Sequence, residues 1–180
     1  MNTPKLGMLL NNLGGSQLAA SAIIAGNRFV KDNPQSDLIF FQSNLTMPCY
    51  RPNFAVMDYA EVYGHDAVCI ATDFDSAKYL IKCPGPSHRI FYVWDLEWLH
   101  GGKTYEDFAG IYKNELLDIV VQSEVHKEIF TRSWNRIPST VVENADLSEF
   151  YKYVTEIKKP TLKRRTFVEG LFYAKSSKSA

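Results

Sequence analysis

Short apolar runs alternate with longer amphipathic stretches along most of the chain. Lys5 to Leu10 is continuously apolar after its first residue and stops at Asn11-Asn12-Leu13-Gly14-Gly15. A run of this kind, ended by a glycine turn, predicts a strand buried on both faces. Ser16 then precedes Leu18, Ala19, Ala22, Ile23, Gly26, Phe29 and Val30, which recur at intervals of three and four. That spacing predicts a helix with Ser16 as its N-cap, ended by Asp32-Asn33-Pro34.

The same reading continues down the chain. Strands are predicted at Asp37 to Gln42, Ala55 to Met57, Asp66 to Thr72, Arg89 to Trp94, Leu116 to Val121 and Ser139 to Val142. Between them lie a long loop from Ser43 to Phe54, a helical turn from Tyr59 to Tyr63, and helices at Asp75 to Lys82, Tyr105 to Tyr112 and Glu124 to Trp134. Leu147 to Ile157 is the last amphipathic stretch. Most of the apolar runs are too continuous for half-exposed antiparallel strands. The pattern therefore predicts an α/β fold: a three-layer, Rossmann-like domain with a mainly parallel sheet of six to seven strands.

Composition narrows this picture. The 180 residues are 46% hydrophobic and 22% charged, the profile of one globular domain with a core large enough to fold without disulfides or metal. Formal net charge is zero, with 20 basic and 20 acidic residues, but the charge is unevenly placed. Residues 158–180 hold seven basic residues against Glu169 alone, a balance of +6, and residues 1–157 hold 13 basic and 19 acidic, a balance of −6. We therefore divide the chain into a domain at 1–157 and a basic extension at 158–180. Phe167, Val168, Leu171, Phe172 and Tyr173 make part of that extension apolar enough to dock, and its serine- and lysine-rich end is expected to be disordered. Basic residues interleaved with aromatics suit nucleic-acid contact; a solvated tail, or one lying on the acidic body, fits as well.

Cys49, Cys69 and Cys83 are odd in number and irregularly spaced, with no Cys/His ligand pattern, so no metal is expected and a reducing compartment is. The apolar run before Asn11 is too short for a signal core or a membrane span. A soluble, cytoplasmic protein without a membrane span is the expectation.

In open parallel sheets ligands bind beyond the carboxyl ends of the strands. Asn11, Asn12, Gly14, Gly15 and Ser16 follow the first strand, where a glycine loop and a helix N-terminus suit a hydroxyl-rich or anionic ligand. The loop is neither GxGxxG nor a P-loop, and Gln42-Ser43-Asn44 stands where an NAD site needs its ribose-binding acid. The plainer reading is a tight strand-to-helix turn. Asp95 and Glu97 follow the strongest strand, flanked by Trp94 and Trp98, with His100 close by. On an extended segment the two acids share a face, where one can act as general base on a hydroxyl and the tryptophans can stack on a ring. The alternative is a capping Asp95 with both tryptophans in the core. Asn144 follows the last strand.

Three segments, GMLLNNLGGSQLAASAI (Gly7 to Ile23), RIFYVWDLEW (Arg89 to Trp98) and LLDIVVQSEVHKEIFTRSWN (Leu116 to Asn135) followed by STVVEN, carry a family likeness. Together they resemble the N-terminal half of GT-B glycosyltransferases, the retaining type built of two facing Rossmann-like domains. The resemblance spans roughly residues 5 to 145. It implies that Gly14, Gly15 and Ser16 line the donor diphosphate or the acceptor cleft, that Asp95 takes the acceptor-side acid/base position, and that Ser123 and Glu124 border the cleft. It also implies a nucleotide-sugar donor, a hydroxyl acceptor and no further cofactor. The family's donor-binding second domain, with its carboxylate pair, has no counterpart in this sequence. The expected arrangement is thus a homo-oligomer or a pairing with a partner subunit. The alternative expectation is a non-catalytic nucleotide, sugar or nucleic-acid binding module of the same fold.

Overall fold

The computed structural model describes residues 5–157. The basic extension and the readings made for it lie outside the described residues.

Seven strands form one sheet in the order β3-β2-β1-β4-β5-β6-β7, and every neighbouring pair is parallel. The strands are β1 (Lys5–Leu10), β2 (Asp37–Gln42), β3 (Ala55–Asp58), β4 (Val68–Ala71), β5 (His88–Val93), β6 (Asp118–Val121) and β7 (Thr140–Val141). Among the described residues five helices connect or follow them: α1 (Gln17–Asp32), α2 (Phe74–Lys82), α3 (Tyr105–Tyr112), α4 (Glu124–Trp134) and α5 (Leu147–Ile157). Short 3₁₀ turns occupy Tyr59–Gly64, Glu97–Leu99 and Glu143–Ala145. The fold is the predicted three-layer, Rossmann-like α/β domain, with all strands parallel.

The period-2 pleat sorts the buried strand residues into two cores. Leu6, Met8, Leu10, Leu38, Phe40, Ile70, Ile90 and Tyr92 face α1 and α5. Leu9, Ile39, Phe41, Cys69, Ala71, Phe91, Val93, Ile119 and Val121 face α2, α3, α4 and the 59–64 turn. Both faces of the central strands are thus apolar, which is why their runs are continuous rather than alternating.

Close packing explains two glycines. A Cβ on Gly7, in the central strand β1, would lie 2.8 Å from Phe41 Cε2 and 3.1 Å from Cys69 Sγ. One on Gly26 in α1 would lie 2.5 Å from Phe54 Cε1, so glycine lets the β2–β3 loop seat Phe54 on the helix. Phe54 in turn lies 4.3 Å, centroid to centroid, from Phe40.

Strand ends differ from the sequence reading where polar neighbours take over. The strand predicted over Asp66 to Thr72 is confined to Val68–Ala71, because the Thr72 amide and the Asp73 amide both bond Ser76 Oγ in the α2 cap. The strand predicted to end at Trp94 stops at Val93, where the Trp94 amide turns back to the Tyr92 carbonyl at 3.0 Å. Leu116 and Leu117 belong to the turn before β6. Cys69 and Cys83 are buried and Cys49 is exposed; all three are free thiols. Among the described residues no helix is long and apolar enough to cross a membrane, and no cluster of three or more His, Cys, Asp or Glu is arranged to hold a metal ion.

Candidate functional site

Strand order reverses at β1. The chain leaves β1 for β2 on one side and returns from β3 to β4 on the other, so β1 and β4 border the topological switch point. Loops leaving the carboxyl ends of these two strands diverge to opposite faces and open a crevice between them. A cleft of about 410 Å³ lies there. Asn11 and Ser43 form its β1–β2 rim, Tyr59 and Tyr79 one wall, and Asp73, Phe74, Asp75 and Ser76 the α2 N-terminus, with Glu97 reaching in from the β5 loop.

The rim is pinned by side-chain hydrogen bonds. Asn11 Oδ1 accepts from Ser43 Oγ at 2.9 Å and from Asn44 Nδ2 at 2.6 Å, and the Asn44 amide donates to the Asn11 carbonyl at 3.0 Å. With its oxygen engaged twice, Asn11 presents its NH₂ group. Thr72 Oγ1, buried at the end of β4, donates to the Leu9 carbonyl at 2.7 Å and ties the two switch strands together. Tyr79 Oη donates to the Tyr59 carbonyl at 3.0 Å, with the two rings 5.3 Å apart.

Glu97 is the chemically distinctive group. Its carboxylate accepts the Phe74 amide through Oε1 at 3.1 Å and Oε2 at 3.3 Å, at the first residue of α2. Burial pushes its carboxyl up to about 7, and the neighbouring Asp73 carboxylate adds to the rise; the Phe74 amide and Lys103 offset part of it. Asp73 is itself the α2 cap, accepting from the Ser76 amide at 2.7 Å in a capping box. Glu97 also borders a hollow of about 270 Å³ lined by His100, Gly101, Gly102, Lys103 and Phe108. Gly101 and Gly102 turn that loop with φ of +79° and +92°, a backbone region that favours glycine.

The structure distributes the other sequence-selected residues unevenly. Asp95 and Glu97 do not share a face, because the chain curls into a 3₁₀ turn at Glu97–Leu99 rather than staying extended. Asp95 is exposed, accepts from the Leu96 amide at 2.7 Å, and pairs with His100 Nε2 at 3.2 Å. Trp94 and Trp98 pack on opposite faces of the sheet. Trp94 meets Tyr92 at 6.1 Å, and Trp98 lies among Tyr112, Phe130 and Trp134 at 5.1, 5.8 and 5.6 Å. Both are half-buried and packed against the two cores. Asn12 closes an Asx turn on the Gly14 amide at 3.0 Å, and Ser16 caps α1 by accepting from Ala19 at 3.0 Å. A Cβ on Gly15 would meet nothing within 4 Å, so space is open in front of the helix. Ser123 caps α4 through the His126 amide at 3.2 Å, and Glu124 pairs with Lys127 at 3.2 Å. Asn144 lines a separate groove of about 420 Å³ between α1 and α5, beside Arg28 and Glu149.

Tyr59 and Tyr79 are cleft residues absent from the sequence-based set. Neither directly follows a strand of the buried centre, and their tyrosine spacing carries no sequence signal; only the fold brings them together. Asp73 lies two residues beyond β4, at the carboxyl end of a strand.

Fold and site together define an open α/β domain with a near-neutral-pKa carboxylate at its switch-point crevice. Compared with known proteins, the chain matches no family model, no curated protein and no solved structure.

Proposed function

We propose that this domain is the acceptor-side half of a glycosyl-transferring enzyme, with Glu97 as the general base on an acceptor hydroxyl held in the switch-point cleft. The observation that carries this reading is the position of Glu97, half-buried in the cleft beside Asp73. It lies at the sheet's carboxyl edge, in the crevice such folds use, with its carboxyl pushed up to about 7. A base of that pKa combines a usable ionised fraction with a real affinity for a proton near neutral pH. Asp95, which occupies the family's acid/base position by resemblance, is exposed and held by His100. Glu97 is the better placed of the two.

In the transfer, the acceptor hydroxyl gives its proton to Glu97, and its oxygen bonds to the anomeric carbon. The bond from that carbon to the nucleoside diphosphate breaks, and the leaving group takes the electron pair. The donor sugar nucleotide is brought by a facing half, either a second copy or a partner subunit. Leu45, Met47, Leu99 and Val125 stand exposed at 79%, 92%, 62% and 64% on loops and a helix start that follow strand carboxyl ends. These exposed apolar side chains all lie on the carboxyl-edge side, where a facing half would sit.

The test is release of nucleoside diphosphate from a panel of UDP- and GDP-sugars with hydroxyl acceptors. Glu97→Gln is expected to lower kcat about 100-fold or more, and the wild-type rate is expected to rise with pH through about 7. Full activity in Glu97→Gln with loss in Asp95→Asn transfers the role to Asp95. The absence of any thermal shift from every nucleotide sugar at millimolar concentration refutes a standalone transferase.

A further inference from the structure

We infer that the Glu97 cleft admits an uncharged or ammonium-bearing hydroxylated ring and turns away a phosphorylated one. This rests on the acceptor-side reading above and adds to it the charge class of the acceptor.

A helix N-terminus at a strand's carboxyl edge is ordinarily the place where a phosphate binds, through unpaired amides and the positive end of the dipole. In this cleft most of that place is taken. The Phe74 amide is held by Glu97, the Ser76 amide by Asp73 at 2.7 Å, and the Thr72 and Asp73 amides by Ser76 Oγ, both at 3.0 Å. A phosphate that takes the Phe74 or Ser76 amide has to displace one of the protein's own carboxylates, and in any position here it sits beside the others. Asp73, Asp75 and Glu97 all line the cleft, and among the described residues no lysine or arginine does. The nearby Lys103 is already engaged: its Nζ lies 3.6 Å from Asp75 Oδ1 and 4.4 Å from the centre of the Phe74 ring. Like charges across a partly dry site penalise the wrong ligand more strongly than they would in water.

What remains on offer fits a neutral or cationic ring. Asn11 presents an NH₂ donor at the rim, the carboxylates accept hydroxyl or ammonium protons, and Tyr59 and Tyr79 provide an aromatic wall for the C–H face of a ring.

The experiment titrates the full chain with glucose, glucosamine and glucose 6-phosphate, following the ring resonances of Tyr59 and Tyr79 by NMR. Glucose and glucosamine are expected to shift both tyrosines. Glucose 6-phosphate is expected to bind at least about tenfold more weakly, and Asp75→Asn, which alters an exposed side chain, is expected to narrow that gap. Equal or tighter binding of the phosphate overturns the inference and leaves a transferase with a phosphorylated acceptor standing. A gap that Asp75→Asn does not change, or no tyrosine shift from any of the three, also overturns it. The transferase reading is judged separately by the Glu97→Gln turnover assay, so the two fail independently.

Discussion

Under the role proposed above, Glu97 carries opposite demands on stability and chemistry. Its carboxyl is raised from the ordinary 4.5 to about 7, chiefly by burial. Between those values the folded chain holds a proton that the unfolded chain has released. Stability contributed by this group is therefore greatest below pH 4.5, falls as pH rises toward 7, and is flat above that. Glutamine keeps an oxygen for the Phe74 amide and carries no charge to desolvate. Glu97→Gln is expected to melt higher than wild type at pH 8 and to lose most of that advantage at pH 4.5, as read from paired thermal scans. A more stable protein that has lost turnover is the signature of a site strained for function.

At the scale of elements, the connection from β7 to α5 depends on one buried hydroxyl. Asn144 and Ala145 both adopt left-handed backbone, with φ of +52° and +55°. Tyr92 Oη donates to the Val142 carbonyl at 2.7 Å and accepts the Ala145 amide at 3.1 Å, bracketing the strained pair. Tyr92 is fully buried and burial raises its pKa, so the phenol stays protonated and able to donate. Tyr92→Phe leaves a buried carbonyl and a buried amide without their partner. The expected cost is about 2 kcal/mol, measured as a lower urea midpoint with an unchanged m-value. Because α5 packs on α1 through this connection, the α1–α5 groove that contains Asn144 should also loosen, whereas the Glu97 cleft on the other side of the sheet should not.

At the scale of the whole molecule, the amino edge of the sheet is joined to α5 by hydrogen bonds that converge on Asp118. His88 Nε2 on β5 lies 2.7 Å from Asp118 Oδ2 on β6, and Tyr153 Oη on α5 donates to the same oxygen at 3.1 Å. The His88 hydrogen bond, then its charge and the Tyr153 hydroxyl, hold the Asp118 carboxyl below its ordinary value against the effect of burial. A depressed carboxylate stabilises the fold above its unfolded pKa, and that contribution disappears as pH falls through the folded value. Asp118→Asn is expected to lower the melting temperature at pH 7 and to flatten the acid side of the stability profile below pH about 4, read by circular dichroism. The cleft sits at the carboxyl edge and this cluster at the amino edge, so the Tyr59 and Tyr79 ring resonances of the folded variant should be unshifted.

Legibility differed by element and by site. The strands and helices could be read to within about two residues at their ends, because two-sided burial writes unbroken apolar runs in the central strands and Ser16 marks a helix start as a side-chain cap. The carboxyl-edge loops could be listed from the same pattern, since every strand is parallel. Which of their residues meet could not. Asp95, Glu97, Trp94 and Trp98 are neighbours in sequence, yet a 3₁₀ turn and the two faces of the sheet send them to four different surroundings. Glu97 joins Asp73 and Tyr59 because β4 and β5 are adjacent and the chain crosses from β3 past β1, a pairing of strands that local pattern does not encode. Local burial and capping thus set the elements of this protein, whereas the cleft and the raised carboxyl within it come from strand order and the low dielectric that packing creates.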